Sequence, residues 1–274
     1  MNSMELKDKI RNLSKERNVD FNTLLRLYMY DRFIERLSVS EYKNNFILKG
    51  GFYLSTLLGI EHRSTMDIDI AFQYATFSQN VVVEMIKNII AIDINDHVTI
   101  DYIGINEIRD EDDYGGYRVD LEAHLENVKE RFHIDIATGD PITPSEIRYH
   151  YKPLLMDKYI DVYAYTIETM LAEKIETILS RVEANSRMRD FYDIYLIYTK
   201  DFSSIRMNVL KEAIERTFKK RNYNNNPLDT LRIIENSVII RARWNFYRNN
   251  YKYAKEIEYD KVIKCINVLL IKIK

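Results

Sequence analysis

Three aspartates offer the chemistry most readily available to this sequence. In MDIDIAF (66–72) a strand's side chains alternate faces, so Asp67 and Asp69 share one face while Ile68 and Ile70 enter a core. By strand rise the two residues stand about 7 Å apart at Cα, close enough for their carboxylates to converge on one divalent cation. RFHIDIA (131–137) follows the same logic, with Phe132, Ile134 and Ile136 on the buried face and Arg131, His133 and Asp135 on the other. If the two strands are neighbours, Asp135 is a third carboxylate of the same site. Hard oxygen donors without Cys or paired His favour Mg²⁺ or Mn²⁺ over Zn²⁺. Upstream, Gly50 and Gly51 stand between an apolar strand, Phe46–Leu48, and a short helix closed by Gly59. Glycine there lets backbone N–H groups approach a phosphate, and a helix N-terminus favours negative charge. Either feature alone is ordinary structure. Together they point to a metal site beside a phosphate site. A metal-dependent nuclease would use the carboxylates without the glycine turn.

A second group of candidates lies downstream. On a helix starting at Ile167, positions 167, 170, 171, 175, 178 and 182 make one apolar stripe. Lys174 falls within that stripe and Arg181 lies seven residues further along the same face. An inward lysine needs a partner or a phosphate, because burying an unpaired ammonium costs several kcal/mol. Lys174 is read as neutralising a triphosphate, with Arg181 as a further nucleotide contact, because Arg181 and Asp190 sit close in sequence; the alternatives are pairing with Asp190 or Asp193 and snorkelling past Met170 to solvent. Asp190 and Asp193, at i and i+3, share a side of their own helix. Asp190 either positions Lys174 or accepts a proton from an acceptor hydroxyl, and Asp193 is a cap or a pairing residue.

These groups must be positioned by two kinds of architecture. Helical spacing predicts helices over 4–17 and 20–38, a helix over Val81–Ile92, and strands over 97–108 and 117–126 around the turn DEDDYGG. The acidic run Asp110–Asp113 in that turn reads as solvated. Beyond residue 145 strand signals fade, and 167–184, 189–199, 204–221, 228–248 and 258–273 read as helices. The expected class is α+β: a mixed sheet wrapped by helices over 1–144, then a helical domain over 145–274. The formal net charge of −2 divides unevenly between these parts. Residues 1–144 carry 16 Lys+Arg against 25 Asp+Glu, and 145–274 carry 24 against 17. An acidic half suits metal and a basic half suits a polyanion. In the basic half, KKRNYNNN (219–226) and the row Arg232, Arg241, Arg243, Arg248, Lys252 and Lys255 alternate with Tyr223, Trp244, Phe246, Tyr247, Tyr251 and Tyr253. That mixture suits RNA, and equally an amphipathic helix with a basic face and an aromatic core.

The remaining features narrow the class. With one cysteine, Cys265, neither a disulfide framework nor a cysteine zinc cluster is available, and a reducing, cytoplasmic setting is expected. The stretch MNSMELKDKIRNLSKERN is charged at every turn, unlike a signal peptide, and no window is apolar enough to span a membrane. The five histidines, 62, 97, 124, 133 and 150, show no metal spacing. His133 shares the Asp135 face and reads as either a substrate contact or a surface strand residue.

The order of a strand, Gly-Gly, a helix, D-x-D and a third Asp on a later strand is similar to that of the polymerase-beta-like nucleotidyltransferases. Within them, FILKGGFYLSTLLGIEHRSTMDIDIAF, FHIDIATGDPITP, TIETMLAEKIETILSR and SRMRDFYDIYLI resemble the AbiEii/AbiGii nucleotidyltransferase-like toxins of type IV toxin–antitoxin, abortive-infection systems. The resemblance covers about residues 40–200. It implies phosphate on Gly50 and Gly51, metal on Asp67, Asp69 and Asp135, and active-site roles for Lys174 and Asp190. Phe52 stands where the superfamily often has Ser or Thr, so Ser64 or Thr65 becomes the candidate hydroxyl or a modification site. The implied reaction joins a nucleotide from a nucleoside triphosphate to RNA, with the 3′ end of transfer RNA as acceptor. Its implied setting is antiviral defence with growth arrest, countered by a cognate antitoxin with or without a direct complex. Two alternatives stay open: nucleotidylation or autophosphorylation of protein by the same metal site, and a non-catalytic nucleotide- or RNA-binding module. Three retained carboxylates speak against the last, since a cluster of like charges repels itself without metal.

Overall fold

The computed structural model describes residues 1–63, 67–109 and 115–273. The chain divides into two compact units, Met1–Gly139 with Glu146–Ala164, and Asp140–Ser145 with Tyr165–Lys274. Ser64, Thr65 and the Asp110–Asp113 run lie outside the described residues.

The first unit is built on a seven-stranded sheet. Its elements are α1 (Ser3–Arg17), α2 (Phe21–Val39), β1 (Phe46–Lys49), α3 (Gly50–Leu58), β2 (Ile68–Phe72), α4 (Gln79–Ile90), β3 (Thr99–Arg109), β4 (Gly115–Leu125), β5 (Val128–Ala137), β6 (Ile147–Tyr151) and β7 (Ile160–Ala164). The strand order is β3-β4-β5-β2-β1-β7-β6. Pairing is parallel for β2 with β5 and β1 with β7, and antiparallel elsewhere, so the sheet is mixed as expected. The alternation read in MDIDIAF and RFHIDIA holds: Ile68, Ile70, Ile134 and Ile136 are fully buried. Helix α1 starts in a capping box between Asn2 and Glu5, and α2 starts at Asp20, whose carboxylate accepts from the Thr23 N–H.

Helix α2 also buries ionisable side chains. The Asp31 carboxylate has no exposed surface; it accepts from the Tyr151 hydroxyl at the end of β6 and from the Leu154 N–H at 2.6 Å. Arg36 makes a two-pronged pair with Asp96 at 2.9 and 3.0 Å. These contacts fasten α2 to segments far away in sequence, where apolar packing alone would not fix register.

Strands β6 and β7 are absent from the sequence reading. The edge strand β6, IRYHY, alternates Ile147, Tyr149 and Tyr151 with Arg148 and His150 but buries only Tyr151, and β7 buries Ile160, Val162 and Ala164; each is only five residues long. The sheet therefore continues past residue 145, to Ala164.

The second unit is helical: α5 (Ile167–Arg181), α6 (Met188–Asp201), α7 (Met207–Lys220), α8 (Pro227–Asn236), α9 (Val238–Asn250) and α10 (Tyr259–Lys272). The segment 140–145 belongs here. Asp140 pairs with Arg221 at 2.9 Å, and the Thr143 N–H donates to the Thr169 hydroxyl at 2.9 Å. The single helix expected over 228–248 is two, because Ser237 ends α8 and its hydroxyl accepts from the Ile240 N–H to start α9. No helix among the described residues is long and apolar enough to cross a membrane.

Candidate active site

The site of the first unit follows from strand register. Lys49 on β1 stands opposite Asp69 on β2, Asp69 beside Asp135 on β5, Asp135 opposite Arg118 on β4, and Arg118 opposite Asn106 on β3. Register partners share a face, so these five residues form one row across five strands, two carboxylates flanked by a cation on each side. One step along the strands, His133 stands opposite Asp120, and His133 Nε2 lies 2.6 Å from Asp67 Oδ1. The condition set by the sequence, that the two Asp-bearing strands be neighbours, is met.

The glycine turn closes one end of the row. Gly50 has φ +60, and a β-carbon there would overlap the Asp69 carboxylate. A β-carbon at Gly51 would likewise overlap the buried Arg63 guanidinium. Gly50 is thus required by its backbone conformation as well as by what packs against it, and Gly51 by packing alone. The Gly51 N–H, at the start of α3, donates to Asp69 Oδ2 at 3.1 Å.

Electrostatics follow from this crowding. Burial pushes the Asp69 carboxyl above its usual range, the neighbouring Asp135 charge adds to the rise, and the Gly51 N–H, Lys49 and Arg63 oppose it. Arg118 donates to both Asp135 oxygens, at 2.7 and 2.6 Å, and this bidentate bond is the main cause of its raised pKa.

Among the described residues, no three His, Cys, Asp or Glu side chains stand close enough together to hold a metal ion. Each carboxylate is turned to a protein partner: Asp69 to Gly51, Asp135 to Arg118, Asp67 to His133. The donor set nevertheless fits a hard divalent cation. Asp69 and Asp135 are adjacent in register, Asp67 is one step away on the same side, and a guanidinium already supplies positive charge between the strands.

In the second unit, Lys174 on α5 bridges two carboxylates of α6, at 2.7 Å to Asp190 and 2.8 Å to Asp193. The pairing alternative is therefore realised here, and with both acids at once. Asp193 has no exposed surface, whereas Asp190 and Lys174 keep 14% and 12% of their side chains exposed. Asp193 is thus the structural member and Asp190 the accessible one. Arg181 is half-buried in the last turn of α5, where a cation also suits the helix dipole.

The basic and aromatic run resolves mostly into packing. Trp244 is fully buried and donates to the Ile257 carbonyl at 3.0 Å, while Tyr223 and Tyr247 are buried. Tyr192, Tyr247, Tyr251 and Tyr253 pack ring on ring, with centroids 4.6–6.4 Å apart. Arg221 is held by Asp140 and Glu176, and Arg232, Arg241 and Arg248 by Asp229, Asp260 and Glu258. Phe246 stays exposed. Cys265 is packed in α10 as expected.

Sequence reasoning did not pick out Lys49, Arg63 or Arg118. Lys49 and Arg63 sit inside the very motifs used, L-K-G-G and R-S-T-x-D-I-D, and signal was present there. Arg118 becomes visible only once the register of the β4–β5 hairpin is known.

Comparison with known proteins adds three findings. The family described as nucleotidyl transferase AbiEii toxin, type IV toxin–antitoxin system, matches over residues 32–264. The crystal structure of JHP933 from Helicobacter pylori is similar at TM-score 0.53 and 13% identity, covering 92% of this chain and 91% of that one, a likeness of fold. A candidate nucleotidyltransferase from H. pylori aligns at TM-score 0.49 and 14% identity over 92% of both chains. No curated protein resembles the chain closely enough to count as a match.

Proposed function

The chain belongs to the AbiEii nucleotidyl transferase toxins of type IV toxin–antitoxin systems, and on that premise we propose that it joins a nucleotide from a nucleoside triphosphate, with Mg²⁺, to an RNA acceptor. The acceptor hydroxyl attacks the α-phosphorus, a new phosphodiester bond forms, and pyrophosphate leaves. The 3′ end of transfer RNA is the acceptor we infer, so that the outcome is blocked aminoacylation and growth arrest in the cytoplasm as an antiviral defence. The antitoxin that membership implies would counter this activity.

The observation that carries the reading is the row Lys49–Asp69–Asp135–Arg118 beside the Gly50–Gly51 turn. Asp67, Asp69 and Asp135 are the residues that would hold Mg²⁺ (or Mn²⁺), which when bound neutralises the leaving pyrophosphate and activates the attacking hydroxyl. Backbone N–H groups of the turn, at the N-terminus of α3, are suited to phosphate oxygens once Asp69 releases Gly51. Lys49, opposite Asp69, adds positive charge at the same end. Lys174 and Asp190 enter the proposal through the family motifs they occupy. What supports them is an ammonium paired with two carboxylates, of which Asp190 keeps part of its side chain exposed.

The test is incubation with each labelled nucleoside triphosphate, Mg²⁺ and total transfer RNA, with Asp67→Ala as control. Label on RNA that depends on Asp67 is the expected result. Label on protein would replace RNA with a protein acceptor, and no label with nucleotide still bound would defeat the catalytic reading.

A further inference from the structure

The carboxylate site contains a cation of its own. Arg118 reaches both oxygens of Asp135, and the Asp67 and Asp120 carboxylates also act on its guanidinium. It occupies on Asp135 the oxygens that a divalent cation would claim, with Asp120 two residues along the same strand face. This position is built into the sheet, since Arg118 and Asp135 are direct partners on antiparallel strands. The guanidinium is not locked there: 41% of the side chain is exposed, against 23% for Asp135. A planar fork that fits two carboxylate oxygens fits two phosphate oxygens equally well.

We propose that Arg118 is a tethered counter-ion that neutralises Asp135 before loading, yields that carboxylate to the divalent cation, and turns its guanidinium to phosphate oxygens of the bound nucleotide. The proposal rests on the nucleotidyltransferase reading of this site. Without some cation, Asp69 and Asp135 would face each other as adjacent charges, and Lys49 stands on the Asp69 side only. With a divalent cation present, the guanidinium would meet like charge at Asp135 and a new polyanion nearby. The same residue thus opposes metal binding and favours nucleotide binding, a combination that a purely structural ion pair does not produce.

The experiment measures Mn²⁺ affinity by calorimetry on the full chain, alone and then with α,β-methylene analogues of the four nucleoside triphosphates at saturating Mn²⁺. Arg118→Gln is expected to bind Mn²⁺ about tenfold tighter and the analogue about tenfold weaker, the scale of one lost charged hydrogen-bond pair. Arg118→Lys, which keeps charge without the fork, should fall between wild type and Arg118→Gln in both, and serves alone if Arg118→Gln fails to fold. Arg131→Gln is the charge control: it removes a cation from β5 that pairs with Glu122 at 2.5 Å, and both affinities should change less than about twofold. Unchanged or weaker Mn²⁺ binding by Arg118→Gln, or shifts in one direction for both ligands, would overturn the proposal while leaving the nucleotidyltransferase reading intact. Wild-type protein that binds neither Mn²⁺ nor analogue would overturn that reading and the proposal with it.

Discussion

Asp31 offers a quantitative check on the first unit. Its carboxyl is fully buried, and burial pushes its pKa from 3.8 to about 7, against the lowering effect of the Tyr151 and Leu154 hydrogen bonds and of Arg32, and with a further raising effect from Glu35. A folded-state pKa raised above the unfolded one contributes stability that is complete below the unfolded pKa and lost as pH rises through the folded pKa. The whole loss for a shift of this size is about 4 kcal/mol, of which roughly 2.5 kcal/mol falls between pH 5 and pH 8. Asp31→Asn keeps the size and an acceptor for the Leu154 N–H, and its amide can donate to the Tyr151 oxygen, so it imitates the protonated acid. Urea unfolding of both proteins at half-unit steps from pH 5 to pH 8 gives the difference directly. The wild type should lose stability relative to Asp31→Asn by roughly 2.5 kcal/mol over that range. Parallel curves would refute the reasoning and mean that Asp31 is ionised in the folded chain.

Two other perturbations have defined outcomes. Gly50→Ala puts a β-carbon at φ +60 against the Asp69 carboxylate; it should cost about 1–2 kcal/mol from backbone strain alone, and displacement of Asp69 should weaken Mn²⁺ binding in the same calorimetric assay. Lys174→Met leaves Asp190 and Asp193 without their shared cation, which should destabilise the second unit by about 3–5 kcal/mol; adding Asp193→Asn should restore part of that loss in thermal melts.

The candidate site was legible wherever one strand or one helix sets it. Alternation alone puts Asp67 with Asp69 and His133 with Asp135 on polar faces, because buried isoleucines fix the opposite face. The stripe on α5 likewise turns Lys174 inward, and the carboxylates it meets are the two that were candidates. What stayed hidden depends on which strands pair. The Arg118–Asp135 bond and the Lys49–Asp69 adjacency are consequences of register between segments, which a one-dimensional pattern does not encode. The strands β6 and β7 were missed because five alternating residues make a short signal beside the long helices that follow, and the α8–α9 break was missed because a serine cap divides a continuous apolar period. The basic and aromatic run was ambiguous for a related reason: ring-on-ring packing and base stacking require the same residues, and only burial separates them.

The central claim is transfer of a nucleotide at the Asp69–Asp135 row. The most direct measurement counts pyrophosphate released against nucleotide joined to RNA, for wild type and for Asp69→Asn. The account predicts one pyrophosphate per nucleotide joined for the wild type, and a rate at least about a hundredfold lower for Asp69→Asn, the scale of losing one charge-stabilising group at a reacting centre. Triphosphate consumed without nucleotide joined to RNA, or an Asp69→Asn rate equal to wild type, would contradict it.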